Sequence, residues 1–396
     1  MFSVGLEKLI KEPSLTKSWG RCGLVANQAS VTKDFGVAWD VLQSMLGPRL
    51  TALFGPQHGF YGTKQDNMIE TDHDIHRPTG LPLYSLYSET RAPSKKMLES
   101  VDTIVIDLQI VGCRIYTWKA TIAGCLRAAK NYNKKVVILD RPNPVGGEVL
   151  EGRVLDRDCL SFVGEYPIPM RHGLTSGEAA RFFNSFIGAD LDVVELTGWN
   201  PSHYWQDLNR HWVLTSPNLP TIDAVYVYPG TVIFEGVNFS EGRGTGLPFQ
   251  FFGAPYIPDS KSYKQKILGH LGGSSPGVYL REAQFEPTSQ KHQGKTCVGL
   301  QIHVLDPAKV RSLDLAIAIV RASIELGGES FAWKSPPYEY NHETLPMKLI
   351  YGSQKVADKF IDEKFSLDDE FWHEGIKDYI KAVQPSLLYK RDFRIG

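Results

Sequence analysis

The sequence predicts an α/β protein: a doubly wound parallel sheet in the N-terminal part and a smaller α+β part after it. Three observations carry this expectation. Short, continuous apolar runs at 23–26, 50–54, 103–108 and 136–139 have the length and composition of strands buried on both faces. Helical stretches separate them, and strand–helix alternation is what builds a parallel sheet. Polar residues of ligand-binding type then stand at the end of each of these strands, where such sheets place their ligands.

Taken in order, the first strand ends at Asn27-Gln28, and a helix over 38–46 leads to the second strand. That strand stops at Gly55-Pro56 and runs into Gln57-His58-Gly59-Phe60-Tyr61-Gly62 and on to Gln65-Asp66-Asn67-Met68-Ile69-Glu70. A loop that only reversed the chain would not need an amide, an imidazole, two aromatic rings and two acids. Its structural alternative is a rigid packed loop with His58 hydrogen-bonded inside it. An extended piece over 81–86 contains Pro82, which disfavours a central position in a sheet. A short helix is expected over 94–101, and 103–108 is the clearest central strand. The helix over 117–131 buries a stripe of Ile122, Cys125, Leu126 and Ala129. The strand over 136–139 ends at Asp140-Arg141-Pro142-Asn143-Pro144. Thr175-Ser176-Gly177-Glu178 has the spacing of a capping box that opens a helix over 178–186, and a further strand is expected over 191–196. Arg171-His172-Gly173 stands just before that cap, where a helix N-terminus helps to hold an anion.

A boundary between two domains is expected over 220–235, dividing the chain into 1–225 and 226–396 with a cleft between them. The second part carries the Gly-bent stretch from Glu235 through Asn238, Glu241 and Arg243 to Gly246. No Lys-Ser/Thr follows its glycines, so it is not a nucleotide phosphate loop. A half-exposed strand over 300–304, a helix opened by Asp306-Pro307 and running to about 326, and helical segments near 355–365 and 367–383 complete the reading.

Composition narrows the function classes. The chain has 396 residues, is 42% hydrophobic and 22% charged, and carries a net charge of −1. Acidic and basic residues are interspersed, without the basic stripe of a nucleic-acid binder. No apolar run is long enough to span a membrane. The N-terminus lacks the basic start and apolar core of a signal peptide. Five scattered cysteines (Cys22, Cys113, Cys125, Cys159, Cys297) fit neither a disulfide framework nor a zinc site. The expected protein is cytoplasmic (periplasmic or secreted if a leader has been removed), a monomer or weak homodimer, without metal or cofactor.

Neither a nucleophile elbow nor a metalloprotease, Walker or dinucleotide motif is present. The available chemistry is carboxylates with a few histidines and arginines, and two carboxyl groups flanking a glycosidic bond suffice to hydrolyse it. The candidate acids are Glu70, Asp107, Glu151, Glu235 and Glu241. Each has a structural alternative: Asp107 as a turn cap, Glu151 as a surface residue, Glu235 and Glu241 pairing with Arg243 to order their own loop. His172 fits a hydrogen-bonded core position as well as a ligand contact.

Two long motifs, Ser161 to Glu178 (SFVGxxPIPxRHGxTxGE) and Glu235 to Phe249 (EGxNxSEGRGTxxPF), together with the segments 53–62, 105–116, 139–147, 216–220 and 301–306, resemble the NamZ family of exo-β-N-acetylmuramidases. The resemblance runs from about Gly23 to past Tyr340. It implies a Rossmann-like N-terminal domain, a smaller C-terminal domain and a substrate cleft between them. It also implies release of N-acetylmuramic acid from the non-reducing end of peptidoglycan fragments, without metal or cofactor. The anionic lactyl group of that sugar would give Arg141, Arg171 or Arg243 a carboxylate to grip.

Three departures matter. Gln57 stands where many relatives have Glu, Ile110 replaces a second Asp and Cys113 an Ala, and Pro346-Met347-Lys348 replaces a PxD. With no acid at position 57, Glu70 on the same loop is the expected proton donor and Glu235 or Glu241 the second carboxylate, while Asp107 and His58 position the sugar. Asn27, Gln57, Gln109, Arg114, Tyr116, Arg141, Asn143, Arg171, His172, Asn218, Asn238 and Arg243 are expected around the substrate. The alternatives are a muropeptide- or sugar-binding protein that has lost catalysis, and a hydrolase of a different glycan.

Overall fold

The structure, a computed structural model, describes residues 2–65 and 68–396. Met1, Asp66 and Asn67, the last two from the loop singled out above, lie outside the described residues.

The N-terminal part alternates as its apolar runs demand. In chain order it holds α1 (Gly5–Lys11), β1 (Cys22–Ala26), α2 (Ala38–Leu46), β2 (Leu50–Gly55), β3 (Asp74–His76), β4 (Leu81–Ser85) and β5 (Thr103–Asp107). Then come α3 (Trp118–Tyr132), β6 (Lys135–Leu139), β7 (Val149–Leu150), α4 (Ser176–Ile187) and β8 (Asp190–Val194). All of these strands except β7 form one sheet in the order β3-β4-β2-β1-β5-β6-β8, parallel but for the β3–β4 edge. Chain order runs outward from β1 through β2 to β4, with β3 folded back outside β4, and from β5 through β6 to β8 in the other direction. Right-handed crossovers therefore put α2 and α3 on opposite faces, and β1 and β5 are buried at every position. The fold is α/β with a mostly parallel central sheet, and its topological switch point lies between β1 and β5.

Local signals are met where a side chain can act alone. Thr175 Oγ1 accepts from Glu178 N at 3.2 Å and Glu178 Oε2 from Thr175 N at 3.1 Å, the expected box at the start of α4. Pro82 is accommodated because β4 lies next to the edge, with only the three-residue β3 beyond it. The helix expected over 94–101 is a single 3₁₀ turn, Lys96–Leu98.

The second part contains α5 (Ile222–Thr231), β9 (Phe251–Ala254), α6 (Ser260–His270), β10 (Val278–Phe285), β11 (Cys297–Val304) and α7 (Ser312–Gly327). α8 (Pro346–Tyr351), α9 (Val356–Ile361), α10 (Ile376–Val383) and β12 (Arg394–Ile395) follow. An antiparallel sheet in the order β10-β11-β9 is its centre. α5 is buried from Ala224 to Thr231, as a helix apolar on all sides must be. Pro229 sits in its last turn, and the chain tightens directly into a 3₁₀ turn at Val232–Gly236. The helix expected to open at Asp306-Pro307 begins at Ser312 instead. Asp306 closes its own turn, accepting from Ala308 N at 3.1 Å through Oδ1 and from Lys309 N at 3.1 Å through its carbonyl. The expected segments near 355–365 and 367–383 are the shorter α9 and α10, with a 3₁₀ turn at Glu370–His373 between them.

The chain end returns to the first part. β12 pairs with β7, and buried Arg391 is salt-bridged to buried Glu178 and donates to Gly173 O at 2.5 Å. The α5–α7 contact gives a test. At Gly230 a Cβ would lie 1.8 Å from Ser312 O, a backbone atom that cannot swing away. Gly230→Ala is expected to lower stability by about 1–3 kcal/mol in urea unfolding, because overpacking outweighs the helix-propensity gain of at most about 1 kcal/mol.

Candidate active site

The loop after β2 turns back at once. A Cβ at Gly55 would meet Phe60 N at 2.7 Å, so only glycine allows this approach. His58 then takes a left-handed backbone, φ 71°, unusual for a residue with a side chain. Its Nδ1 lies 2.7 Å from Lys64 O and its Nε2 3.1 Å from Ser216 Oγ. Gln57 is fully engaged: Thr117 Oγ1 donates to its amide oxygen, and its Nε2 donates to Tyr87 Oη at 3.1 Å.

Gln57, His58, Thr117 and Ser216 line a pocket together with Tyr116, Asn218, Tyr228, Glu235, Arg243, Phe249, Tyr338 and Glu339. His58, Phe249 (φ 63°) and Glu339 (φ 42°) all hold left-handed backbone. Such conformations persist only where surrounding contacts enforce them, and they gather at functional sites.

The carboxyl groups here fall into two environments. Glu235 accepts from Arg243 Nη2 at 2.5 Å and from Tyr338 Oη at 2.6 Å. Just behind it, Glu241 is gripped by Lys291 at 2.8 Å and Arg243 at 3.2 Å. Burial pushes the Glu241 carboxyl up, but the two cations outweigh it and hold it below the usual range. Glu339 has no ion pair among the described residues. Its Oε2 accepts from Tyr87 Oη at 2.9 Å, and Gln57 hydrogen-bonds to it as well. Burial, with Glu235 nearby, pushes its carboxyl up to about 7.

The structure brings together Gln57, His58, Tyr116, Asn218, Glu235 and Arg243 from the sequence-based set, with Glu241 behind Arg243. It does not bring Glu70 there. That side chain is 53% exposed and pairs with Arg91 at 3.2 Å on the outer surface. Asp107 and Arg141 meet at the switch point as a buried bidentate pair, at 2.5 Å and 2.7 Å, with Arg141 Nη2 also on Val31 O. They occupy the crevice in which this topology commonly holds a ligand. Asn27 donates to Thr215 O at 3.3 Å, Gln109 to Ile110 O and Pro142 O, and Asn143 accepts from Val145 N. Arg114 is buried and bonds four backbone carbonyls, those of Arg153, Ile168, Ile350 and Tyr351. Arg171 is buried against Glu151 at 2.5 Å, so Glu151 is a core residue and not a surface one. His172 is fully buried, which pushes its imidazole down to about 3. Asn238 ties Tyr256 Oη to Ser330 O. Backbone or core groups thus take most of the hydrogen bonds of these side chains, while Gln109 Oε1, Asn143 Nδ2 and His172 Nε2 are buried without a hydrogen-bond partner among the described residues.

Glu339, Tyr338 and Thr117 in the pocket lining, and Tyr87 hydrogen-bonded to Gln57 and Glu339, are the residues that sequence reasoning passed over. The one local signal is an acid between two tyrosines, Tyr338-Glu339-Tyr340, just after Pro336-Pro337.

A larger hollow beside α6 and α7, lined by His270, Arg311, Asp314 and Asp368, and another around Asp102 and Lys130 lie elsewhere. Neither is lined by two buried carboxyl groups, so the smaller pocket is the candidate. Among the described residues no cluster of three or more His, Cys, Asp or Glu is placed to hold a metal ion, and no helix is long and apolar enough to cross a membrane.

Known proteins resemble this chain along both of its parts. Residues 22–223 match the family model for the N-terminal domain of the exo-beta-N-acetylmuramidase NamZ, and residues 226–389 match the model for its C-terminal domain. The peptidoglycan beta-N-acetylmuramidase NamZ of Bacillus subtilis (strain 168) is 40% identical over 333 residues, 84% of this chain and 79% of the relative. Two crystal structures of DUF1343 family proteins from Bacteroides fragilis NCTC 9343 share the fold. One has a TM-score of 0.84 and 28% identity, covering 98% of this chain and 99% of that one. The other has a TM-score of 0.73 and 25% identity, covering 99% and 100%.

Proposed function

We propose, from the premise that the chain belongs to the NamZ family of exo-β-N-acetylmuramidases, that it is a glycoside hydrolase releasing N-acetylmuramic acid from the non-reducing end of peptidoglycan fragments. The observation that carries the reading is the placement of two buried carboxyl groups, Glu235 and Glu339, with one guanidinium, Arg243, on a single pocket. Two carboxyls are the minimum for this hydrolysis. Of the three arginines considered for the lactyl carboxylate, Arg243 alone lines this pocket, where it is paired with Glu235, whereas Arg141 and Arg171 pair away from it with Asp107 and Glu151.

Glu235, held by Arg243 and Tyr338, is suited to face the anomeric carbon or the attacking water. His58, fixed at both ring nitrogens, is suited to orient the sugar rather than to move a proton. The pocket draws on both parts of the chain, which supports a division near 225/226 with the cleft between two domains. Five free, buried cysteines favour the cytoplasm, and we take the protein to act as a monomer or weak homodimer on soluble fragments.

The test is release of nitrophenol from a 4-nitrophenyl β-N-acetylmuramide beside the matching β-N-acetylglucosaminide. Cleavage of the muramide alone is expected. Binding of the muramide without release would favour the sugar-binding alternative, and cleavage of the glucosaminide a different glycan.

A further inference from the structure

We propose that Glu339 is the proton donor of this pocket, in place of the carboxyl that Gln57 lacks, and that Gln57 and Tyr87 are positioning residues for it. The proposal rests on the reading of the chain as a glycosidase.

The geometry points to Glu339 in three ways. Gln57 and Glu339 share one partner: Gln57 Nε2 donates to Tyr87 Oη at 3.1 Å, and that hydroxyl donates to Glu339 Oε2 at 2.9 Å. Gln57 is itself anchored by Thr117 and also hydrogen-bonds to Glu339. The amide at position 57 thus lies within one side chain of a carboxyl, and it serves that carboxyl. Second, Glu339 is 5% exposed and carries no ion pair among the described residues, while its neighbours Glu235 and Glu241 share Arg243 and Lys291. Burial holds it protonated up to about pH 7. One paired and one unpaired carboxyl in the same pocket is the division of labour that separates an acid from its partner. Third, Glu339 and Tyr340 both have left-handed backbone, φ 42° and 68°. The Arg91 guanidinium lies 4.3 Å from the ring centres of both Tyr87 and Tyr340, which holds the turn in place. Glu70, the acid on the loop of Gln57, reaches only the outer side of that arginine.

In the step itself the bond from C1 to the glycosidic oxygen breaks, its electron pair stays with the oxygen, and that oxygen takes the Glu339 proton. The oxygen of one water bonds to C1, and the proton it sheds restores the carboxyl. Proton donation matters for a sugar leaving group and hardly at all for nitrophenolate, which leaves as a stable anion. That difference separates a catalytic role from a structural one.

The experiment compares wild type, Glu339→Gln, Glu70→Gln and the double variant Gln57→Glu/Glu339→Gln on a β-N-acetylmuramyl-N-acetylglucosamine disaccharide and on the 4-nitrophenyl muramide. Glu339→Gln is expected to lose about 10²- to 10⁴-fold in kcat on the disaccharide, to keep most nitrophenyl cleavage, and to lose the alkaline limb near pH 7. Recovery of disaccharide cleavage in the double variant would support the exchange of positions. Equal losses on both substrates with an unchanged pH limb, no loss, or the leaving-group signature in Glu70→Gln would overturn it. If Glu339→Gln does not fold, the wild type decides. Its ratio of disaccharide to nitrophenyl kcat/KM should fall along one ionisation between about pH 5 and about 9, and a flat ratio overturns the proposal. Wild type that cleaves neither substrate would instead overturn the glycosidase reading.

Discussion

Glu235→Gln is expected to reduce turnover by about 10²- to 10⁴-fold on the disaccharide and the nitrophenyl muramide alike. A carboxylate that acts at C1 or on water is needed whatever group departs, so its loss cannot be hidden by a good leaving group. The substitution preserves shape and leaves Arg243 salt-bridged to Glu241 at 3.2 Å, so the pocket should keep its form. Thermal unfolding should therefore move far less than activity, and sugar binding by calorimetry should persist. Nitrophenyl cleavage within a few-fold of wild type would remove Glu235 from the reaction. The contrast with Glu339→Gln, which should spare the nitrophenyl substrate, is what makes the pair of assignments testable together.

The second large effect is on stability. Arg141→Met is expected to cost about 3–5 kcal/mol, because it leaves Asp107 buried without its counter-charge. Asp107 is fully buried and Arg141 nearly so, and their two short hydrogen bonds neutralise each other in the centre of the sheet. Asp107→Leu/Arg141→Met removes both charges together and should cost clearly less than the sum of the single changes. A double-mutant cycle from urea unfolding measures that difference. Additive single effects would show that the two charges do not depend on each other. The same reasoning applies to Arg171 and Glu151, where Glu151 also accepts from Ser312 Oγ and Leu313 N, so that pair ties α7 to the first part of the chain.

Most of the strands and helices of the N-terminal part, the capping box at Thr175 and the family were legible in the sequence, although the 3₁₀ turn at Lys96–Leu98 and the short β3 and β7 were not. Each legible feature depends on residues close together in the chain: β-branched runs such as 103–107, or a hydroxyl and a carboxyl three positions apart. The second part was less legible. α6 buries only Tyr263 and Ile267 among its eleven residues and so carries little periodic signal, and 225–230 is helical although its composition suits a strand. That stretch is buried against α7, and this packing overrides local preference.

The tertiary structure alone decided which polar residues are free for chemistry. Polar side chains at strand ends look alike in a sequence whether they await a ligand or one another. The chain path brought Arg141 to Asp107 across 34 positions, so that carboxylate is taken by a guanidinium of the same chain. It brought Glu339 to Tyr87 across 252 positions and left Glu70 facing solvent. Helix and strand periods arise from repeats of two to four residues, so they can be read locally. A buried charge is stabilised or left available by whatever the fold sets beside it, and that neighbour is fixed only when distant segments pack.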